Sequence, residues 1–97
     1  MTGWIVQPEA GADLDAIWDY TFHNWGIEQA EAYLLTLDRA FARIAAGHAK
    51  GKAMPGKHLA LLQYRVGSHF IVYRPSADEI KIARILHVRM DPDRHLG

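Results

Sequence analysis

The spacing of the hydrophobic residues changes about halfway along this chain, and that change limits the folds it can adopt. Up to Gly47 they recur every three or four residues, which predicts amphipathic helices. From residue 60 onward they alternate with polar residues, which predicts strands. A chain of 97 residues has the length of one domain, so the helices and strands must share a core. We therefore predict a single α+β domain over residues 1–97.

The first half predicts a short strand followed by two helices. Residues 4–7 form the strand, which Pro8 ends because it has no N–H to donate to a sheet. Asn24 and Gly26 interrupt the helical pattern, and so short a break predicts an antiparallel helical hairpin. The two apolar stripes are Ala10, Leu14, Ile17, Trp18, Thr21 and Trp25 on the first helix, and Ala30, Tyr33, Leu34, Leu37, Phe41 and Ile44 on the second.

The second half predicts an antiparallel sheet. Gly67 and Ser68 predict a two-residue hairpin turn of type II′, which places Val66 opposite His69. A basic loop rich in glycine and proline, residues 47–58, separates the sheet from the helices. The three strands predicted after that loop are residues 60–66, 69–74 and 79–88.

The predicted register sorts the sheet into two faces. A four-residue loop at 75–78 would place Arg74 opposite Glu79. The face expected to pack on the helices then holds Leu62, Tyr64, Val66, His69, Ile71, Tyr73, Ile80, Ile82, Arg84 and Leu86. The other face holds Leu61, Gln63, Phe70, Val72, Ala83 and Ile85, and is expected to expose Arg65, Arg74, Lys81 and His87 together. Arg84 breaks the apolar pattern, so either the register slips there or its guanidinium is paired or reaches the rim of the sheet.

Charge is divided between the two halves. The net charge is zero, but residues 1–47 carry most of the acids and residues 48–97 most of the bases. This division predicts an anionic partner for the strand half, although two solvated surfaces of opposite sign would explain it equally well. Cysteine is absent, the chain start lacks the features of a signal peptide, and no apolar run could span a membrane, so we expect a cytoplasmic protein. The histidine spacing and the missing nucleotide motifs predict no metal and no cofactor.

One group of side chains in the strand half could carry chemistry. A ribonuclease needs a proton-transfer group and cations on the phosphate, which His87 and Arg84 or Arg89 could supply. The same side chains suit plain recognition of an acidic surface or a phosphate backbone, and a single histidine at a strand end is often structural. The group consists of Arg65, Tyr73, Arg74, Arg84, His87 and Arg89.

Four segments of the chain carry distinctive motifs. They are Asp13-Leu14-x-x-Ile17-Trp18-x-Tyr20-Thr21, Trp25-Gly26-x-x-Gln29-Ala30-x-x-Tyr33, Gly67-Ser68-His69-x-Ile71-x-Tyr73-Arg74 and Ile82-x-Arg84-Ile85-Leu86-His87-x-Arg89-Met90-Asp91. With these motifs the chain resembles the ParE branch of the ParE/RelE superfamily of bacterial toxins. The resemblance covers nearly the whole chain and implies a strand, a helical hairpin and three antiparallel strands. It also implies a toxin held inactive by a ParD-like antitoxin. ParE-like toxins are associated with poisoning DNA gyrase, whereas RelE-like relatives cleave mRNA on the ribosome.

From the basic group of the strand half and the last of these motifs we predict which residues act. A non-enzymatic gyrase inhibitor would bind its target through Arg65, Arg74, Arg84, His87, Arg89 and Met90. The disordered end of an antitoxin would fold onto the hairpin at Trp18, Trp25, Tyr33 and Leu37, if part of that stripe is exposed. The alternative, a ribosome-dependent endoribonuclease, would use His87, Arg84 and Tyr73.

The chain departs from the family in the loop after the second helix. Family members often carry Pro-x-x-Gly-Arg there and a further arginine after the next Pro-Gly. Here the corresponding residues are Gly47-His48-Ala49-Lys50-Gly51-Lys52 and Pro55-Gly56-Lys57-His58. Positive charge is kept, but lysine lacks the planar fork of arginine, so a contact that needs two parallel hydrogen bonds is not expected in this loop.

Overall fold

The computed structural model describes residues 3–58 and 60–96, which form one sheet with two long helices packed on one face. The sheet has five strands in the order β1-β5-β4-β3-β2, with β1 parallel to β5 and the other pairs antiparallel. The elements are β1 (Gly3–Val6), α1 (Pro8–Trp25), α2 (Ile27–Ala45), β2 (Lys52–Ala53), a 3-10 turn (Gly56–His58), β3 (Leu62–Val66), β4 (His69–Pro75), β5 (Glu79–His87) and α3 (Pro92–Leu96). The predicted α+β order is confirmed, and the structure adds the short elements β2 and α3.

The helical hairpin turns at a single glycine. Gly26 has φ +92°, a left-handed conformation that residues with a side chain rarely adopt. Its N–H donates to the Phe22 carbonyl and its carbonyl accepts from the Ala30 N–H, so it ends α1 and begins α2. Helix α2 buries a full stripe on the sheet, whereas α1 buries only Ala10 and Ile17 among its described residues. The second half of α1 is therefore left with exposed apolar side chains.

The pairing of β4 with β5 corrects the predicted register. Arg74 lies opposite Lys81, not Glu79, and a bulge at Ala83 then inserts one extra residue into β5. Because side chains alternate across a strand, that residue moves every later side chain to the opposite face. In β5, Ile80 and Ile82 were correctly predicted to lie on the core face. The faces predicted for Arg84, Ile85, Leu86 and His87 were wrong, since Ile85 and His87 lie on the helix side and Arg84 and Leu86 do not.

A second, smaller apolar cluster covers the face of the sheet away from the long helices. Met54, Leu61, Val72 and Leu86 are buried there, and Leu96 of α3 packs against them. His58 Nε2 lies 3.0 Å from the Asp93 carboxylate and links the 3-10 turn to α3. The expected basic face is thus partly covered: Arg74 and Lys81 stand opposite each other on it, Arg65 is exposed, and His87 is on the other side.

None of the helices in the described ranges is long and apolar enough to cross a membrane.

Candidate functional site

A groove of about 870 Å³ opens between the second half of α1, the start of α2 and the end of β5. Its apolar lining comes mainly from Tyr20, Trp25 and Met90, which are 66%, 70% and 43% exposed. Its polar side is formed by Tyr33, His69 and His87, which we call the histidine cluster. Large exposed aromatic side chains gathered around one concave surface are typical of a site that binds another molecule.

The groove exists because β1 is short. Strand β1 pairs with β5 only as far as Ile82, and the Gln7 N–H then donates to the Ile82 carbonyl at 3.0 Å. Beyond that point no strand among residues 3–58 and 60–96 covers this edge of β5. Asp13 of α1 accepts the Ile85 N–H at 2.8 Å, so a side chain takes the place of a neighbouring strand. The edge is left accessible from the groove.

Asp13 also forms the strongest polar contact of the region, with Arg84. The Nε and Nη2 atoms of Arg84 donate to the two carboxylate oxygens at 2.8 and 3.0 Å. Both side chains are largely buried, and the hydrogen bonds that Arg84 donates to Asp13 raise the pKa of Arg84 above its ordinary value. The third nitrogen, Nη1, donates to the His95 carbonyl at 2.6 Å. Arg84 therefore ties α1, β5 and α3 together.

The role of Asp13 was missed from the sequence. Like Asp15 and Asp19, it lies off the apolar stripe of the first helix, a position that is typical of a solvated acid. The signal that could have found it is Arg84, because an arginine at a core position needs a partner and an α1 carboxylate can reach it. Two of the explanations offered for Arg84 hold together: the register slips at Ala83, and the guanidinium is paired.

The histidine cluster is built around the Tyr33 hydroxyl. This oxygen accepts the Ser68 N–H at 3.2 Å and lies 2.6 Å from His69 Nδ1 and 3.2 Å from the Val66 carbonyl. The rings of His69 and His87 meet edge to face with centroids 5.3 Å apart. Burial, and next the charge of His87, lowers the pKa of His69, while Asp13 opposes that shift. Burial raises the pKa of Tyr33.

The residues predicted to bind the target do not form one cluster. Arg65 is exposed and donates through Nε to the Gly67 carbonyl, and Arg65 and Arg74 both lie on the face of the sheet away from the long helices. Arg84 is occupied by Asp13 and His95 as described. His87 and Met90 come together in the groove, and the exposed Arg89 donates its backbone N–H to His87 Nδ1 at 3.1 Å.

The residues predicted to bind an antitoxin divide in two. Trp25 and Tyr33 line the groove, whereas Trp18 is half-buried and stacks on Phe22 with centroids 6.4 Å apart. Leu37 is completely buried in the core and presents no surface to a partner. Leu37 was a candidate only on the condition that its part of the stripe is exposed, and this condition is not met.

The three residues named for the ribonuclease alternative are also separated. The side chain of Tyr73 is 2% exposed and its oxygen accepts the Gly51 N–H at 2.8 Å. Arg84 points to Asp13 and α3, and only His87 lines the groove. Within the described residues no group of three histidine or carboxylate side chains could hold a metal ion.

These features define a class of structure: a small α+β domain whose strand, helical hairpin and antiparallel sheet leave a groove uncovered beside the long final strand. Two solved structures share this fold. A chain of the chromosomal ParDE TA system from P. aeruginosa superposes with a TM-score of 0.75 at 22% identity, over 92% of this chain and 98% of that one. A conserved hypothetical protein from Helicobacter pylori gives 0.58 at 16% identity, over 91% and 96%.

Sequence similarity identifies the family. The model of the ParE toxin of the type II toxin-antitoxin system parDE matches residues 5–92. The Toxin ParE1 of Mycobacterium tuberculosis (strain H37Rv) is 39% identical over 94 residues, which are 96% of both chains. The Toxin ParE of Escherichia coli is 39% identical over 92 residues, 94% of this chain and 89% of that one. The Toxin ParE1 of Caulobacter vibrioides is 35% identical over the full length of both. The chain belongs to the ParE toxin family.

Proposed function

We propose that this protein inhibits DNA gyrase by binding it in the cytoplasm, and that a ParD-like antitoxin neutralises it by occupying the groove. Membership of the ParE family supports the toxin role. The gyrase target rests on the resemblance of the sequence to the ParE rather than the RelE branch. The proposal has two parts, a contact with the target and a contact with the antitoxin, and each is supported by different residues.

The observation that carries the non-enzymatic mechanism is the pairing of Arg84. A guanidinium that stabilises a phosphoryl transition state must present free N–H donors to it. In Arg84, Nε, Nη1 and Nη2 are all engaged within the protein by Asp13 and the His95 carbonyl. Three of its five N–H donors are thus already used and its charge is paired with Asp13, while Tyr73 is buried, so both nuclease candidates are poorly placed to act on RNA.

The third candidate, His87, is held in a form unsuited to a general base. Its Nδ1 accepts the Arg89 N–H, so the proton of the neutral ring must be on Nε2. A general base needs a free lone pair on the nitrogen that faces the substrate. In the neutral ring His87 therefore offers a donor, which suits binding.

Contact with the target is assigned to the exposed members of the predicted set. Arg65, Arg74, Arg89 and Met90 are exposed. Arg74 faces Lys81 across the β4–β5 pair, and like charges placed directly opposite each other destabilise a sheet. An acidic patch on the target would relieve that repulsion, which supports a binding role for this pair.

Contact with the antitoxin is assigned to the groove. A segment that folds on binding could place an apolar helix face over Tyr20, Trp25 and Met90, or add to the open edge of β5. Met90 belongs both to the groove and to the residues assigned to the target. An antitoxin in the groove would therefore cover part of the target surface, which explains neutralisation without a change of shape.

A supercoiling assay with purified gyrase, run beside a ribosome-bound mRNA cleavage assay, tests the proposal. The expected result is loss of supercoiling with intact mRNA, and restoration of supercoiling when the antitoxin is added. Cleavage of mRNA with normal supercoiling would instead identify a ribosome-dependent endoribonuclease and refute the gyrase proposal.

A further inference from the structure

We propose that the groove selects partner segments that carry a carboxylate, which binds the histidine cluster while a neighbouring apolar side chain packs on Tyr20, Trp25 and Met90. The proposal rests on the proposed function in so far as this segment belongs to the antitoxin. It adds the chemistry by which the segment is recognised, and it makes His69 and His87 selectivity-determining residues.

The first argument is that His87 is a fixed donor. The Arg89 N–H donates to Nδ1 at 3.1 Å and so places the ring proton on Nε2. No hydrogen bond to His87 Nε2 occurs within residues 3–58 and 60–96, although the side chain lines the groove. A half-buried N–H donor without a partner is stabilised most by an acceptor, and a carboxylate is the strongest acceptor that a protein offers.

The second argument concerns the Tyr33 proton, which can follow the charge of His69. With His69 neutral, the hydroxyl can donate to Nδ1 at 2.6 Å. With His69 protonated, Nδ1–H donates to the Tyr33 oxygen, and the hydroxyl turns to the Val66 carbonyl at 3.2 Å. In both states the Tyr33 hydroxyl and His69 Nδ1 keep a hydrogen-bond partner. His69 can therefore be protonated when an anionic group binds, without loss of its hydrogen bond to Tyr33.

The third argument is the charge around the cluster. The groups that face it are Asp13 from α1, Tyr33 from α2 and His87 from β5, with the Arg89 backbone just beyond. Asp13 is the acid among the described residues that line the groove, and its oxygens are already bound by Arg84 and the Ile85 N–H. Its charge is compensated, so an incoming carboxylate meets donors. A basic segment would find no free acceptor of matching charge in this lining.

Protonation links this binding to pH. Burial and His87 hold the pKa of His69 below its ordinary value, so His69 is mostly uncharged at neutral pH in the free protein. A bound carboxylate favours the protonated ring, and affinity therefore rises as pH falls.

The test uses the complete, isotopically labelled protein and two small probes that differ only in charge: hydrocinnamate and its neutral amide. The imidazole resonances of His69 and His87 are followed by NMR. We expect hydrocinnamate to shift both, with a Kd on the order of millimolar. We expect roughly tenfold weaker binding of the amide, because it lacks the charge-assisted hydrogen bonds. Affinity for hydrocinnamate should rise between about pH 8 and about pH 6.

Two variants complete the experiment. His87→Phe keeps an aromatic ring and removes the donor, and we expect it to bind the two probes equally. His48→Gln, an exposed histidine outside the groove, is the matched control and should bind as the unchanged protein does. Equal affinity of the unchanged protein for both probes, or undiminished preference for the anion in His87→Phe, overturns the proposal. Either outcome leaves the gyrase and antitoxin assays unaffected, so the two proposals fail independently.

Discussion

Arg84 donates two hydrogen bonds to the Asp13 carboxylate, through Nε and Nη2, and the same carboxylate accepts the Ile85 N–H. This contact joins the first helix to the last long strand, at the point where β1 no longer covers the sheet edge. It thereby sets the position of α1 over β5, and with it the shape of the groove. A residue expected to touch the target proves to hold the scaffold together.

Replacing Asp13 by asparagine should lower the free energy of unfolding by about 2 kcal/mol, because it leaves the largely buried Arg84 without its counter-charge. Urea denaturation followed by circular dichroism measures the change. Asp15→Asn, on an exposed position of the same helix, should be close to neutral. In an Arg84→Met background the Asp13 substitution should cost much less, and full additivity would show that the two side chains do not act together.

Replacing Gly67 by alanine should destabilise the protein by about 1–3 kcal/mol. Gly67 has φ +58°, and a Cβ there would lie 2.9 Å from the Tyr33 ring. Gly11→Ala is the matched control, since Gly11 lies inside α1 with open space at its Cβ and alanine favours helices. Thermal unfolding compares the two variants, and an equal melting temperature for both would contradict the role given to the turn.

Replacing Trp25 by alanine should weaken antitoxin binding by about 2 kcal/mol, as expected for an aromatic anchor. Stability should change little, because the side chain is 70% exposed. Isothermal titration with the cognate antitoxin measures the effect. Leu35→Ala removes an exposed apolar side chain outside the groove and should bind normally. Equal losses in both variants would mean that the groove is not the docking site.

Replacing Arg74 by alanine should weaken the inhibition of gyrase without destabilising the protein. Removing one member of the Arg74–Lys81 pair relieves a repulsion, so stability should stay constant or rise by about 0.5 kcal/mol. Inhibition of gyrase should fall and become less sensitive to salt. The supercoiling assay at two ionic strengths gives the answer. Unchanged inhibition at both would exclude Arg74 from the target contact.

The free energy of unfolding should decrease as the pH is lowered below neutrality. The pKa of His69 in the folded protein is below its ordinary value of 6.5, so the unfolded chain binds the proton more readily. The loss of stability therefore begins as the pH drops through the ordinary pKa of histidine, and it is complete below the pKa of His69 in the folded protein. His69→Gln should flatten this part of the profile, while His48→Gln should leave it intact. Denaturation midpoints across this pH range test the sign.

Much of the fold could be predicted because local signals and the hydrophobic period agreed. Gly67 and Ser68 specify a two-residue turn, and the Val66–His69 pair that follows from it is confirmed. The break at Gly26 likewise produced the expected helical hairpin. The predicted pairing of Arg74 with Glu79 was wrong, although the shift to Lys81 leaves the faces unchanged. The predicted faces fail only beyond Ala83, because a bulge changes the face of every later residue without altering the alternation that precedes it.

The site was harder to predict because it depends on contacts between distant segments. The Asp13–Arg84 pair joins the first helix to the last long strand, and no local spacing connects them. Leu37 and Trp25 lie on predicted apolar stripes, yet one is buried and the other exposed. What separates them is the short β1 strand and the limited reach of the sheet under α1, which appear only once the chain is folded.

The parallel pairing of β1 with β5 has a consequence for synthesis. Strand β1 pairs with β5, which is far away in the sequence, and the Asp13–Arg84 contact joins residues at nearly the same sequence separation. Contacts between such distant segments form late, since loop closure must precede them. On the ribosome the N-terminal strand must wait until the C-terminal segment has left the exit tunnel. A nascent chain whose β5 segment is still inside the tunnel therefore lacks the groove.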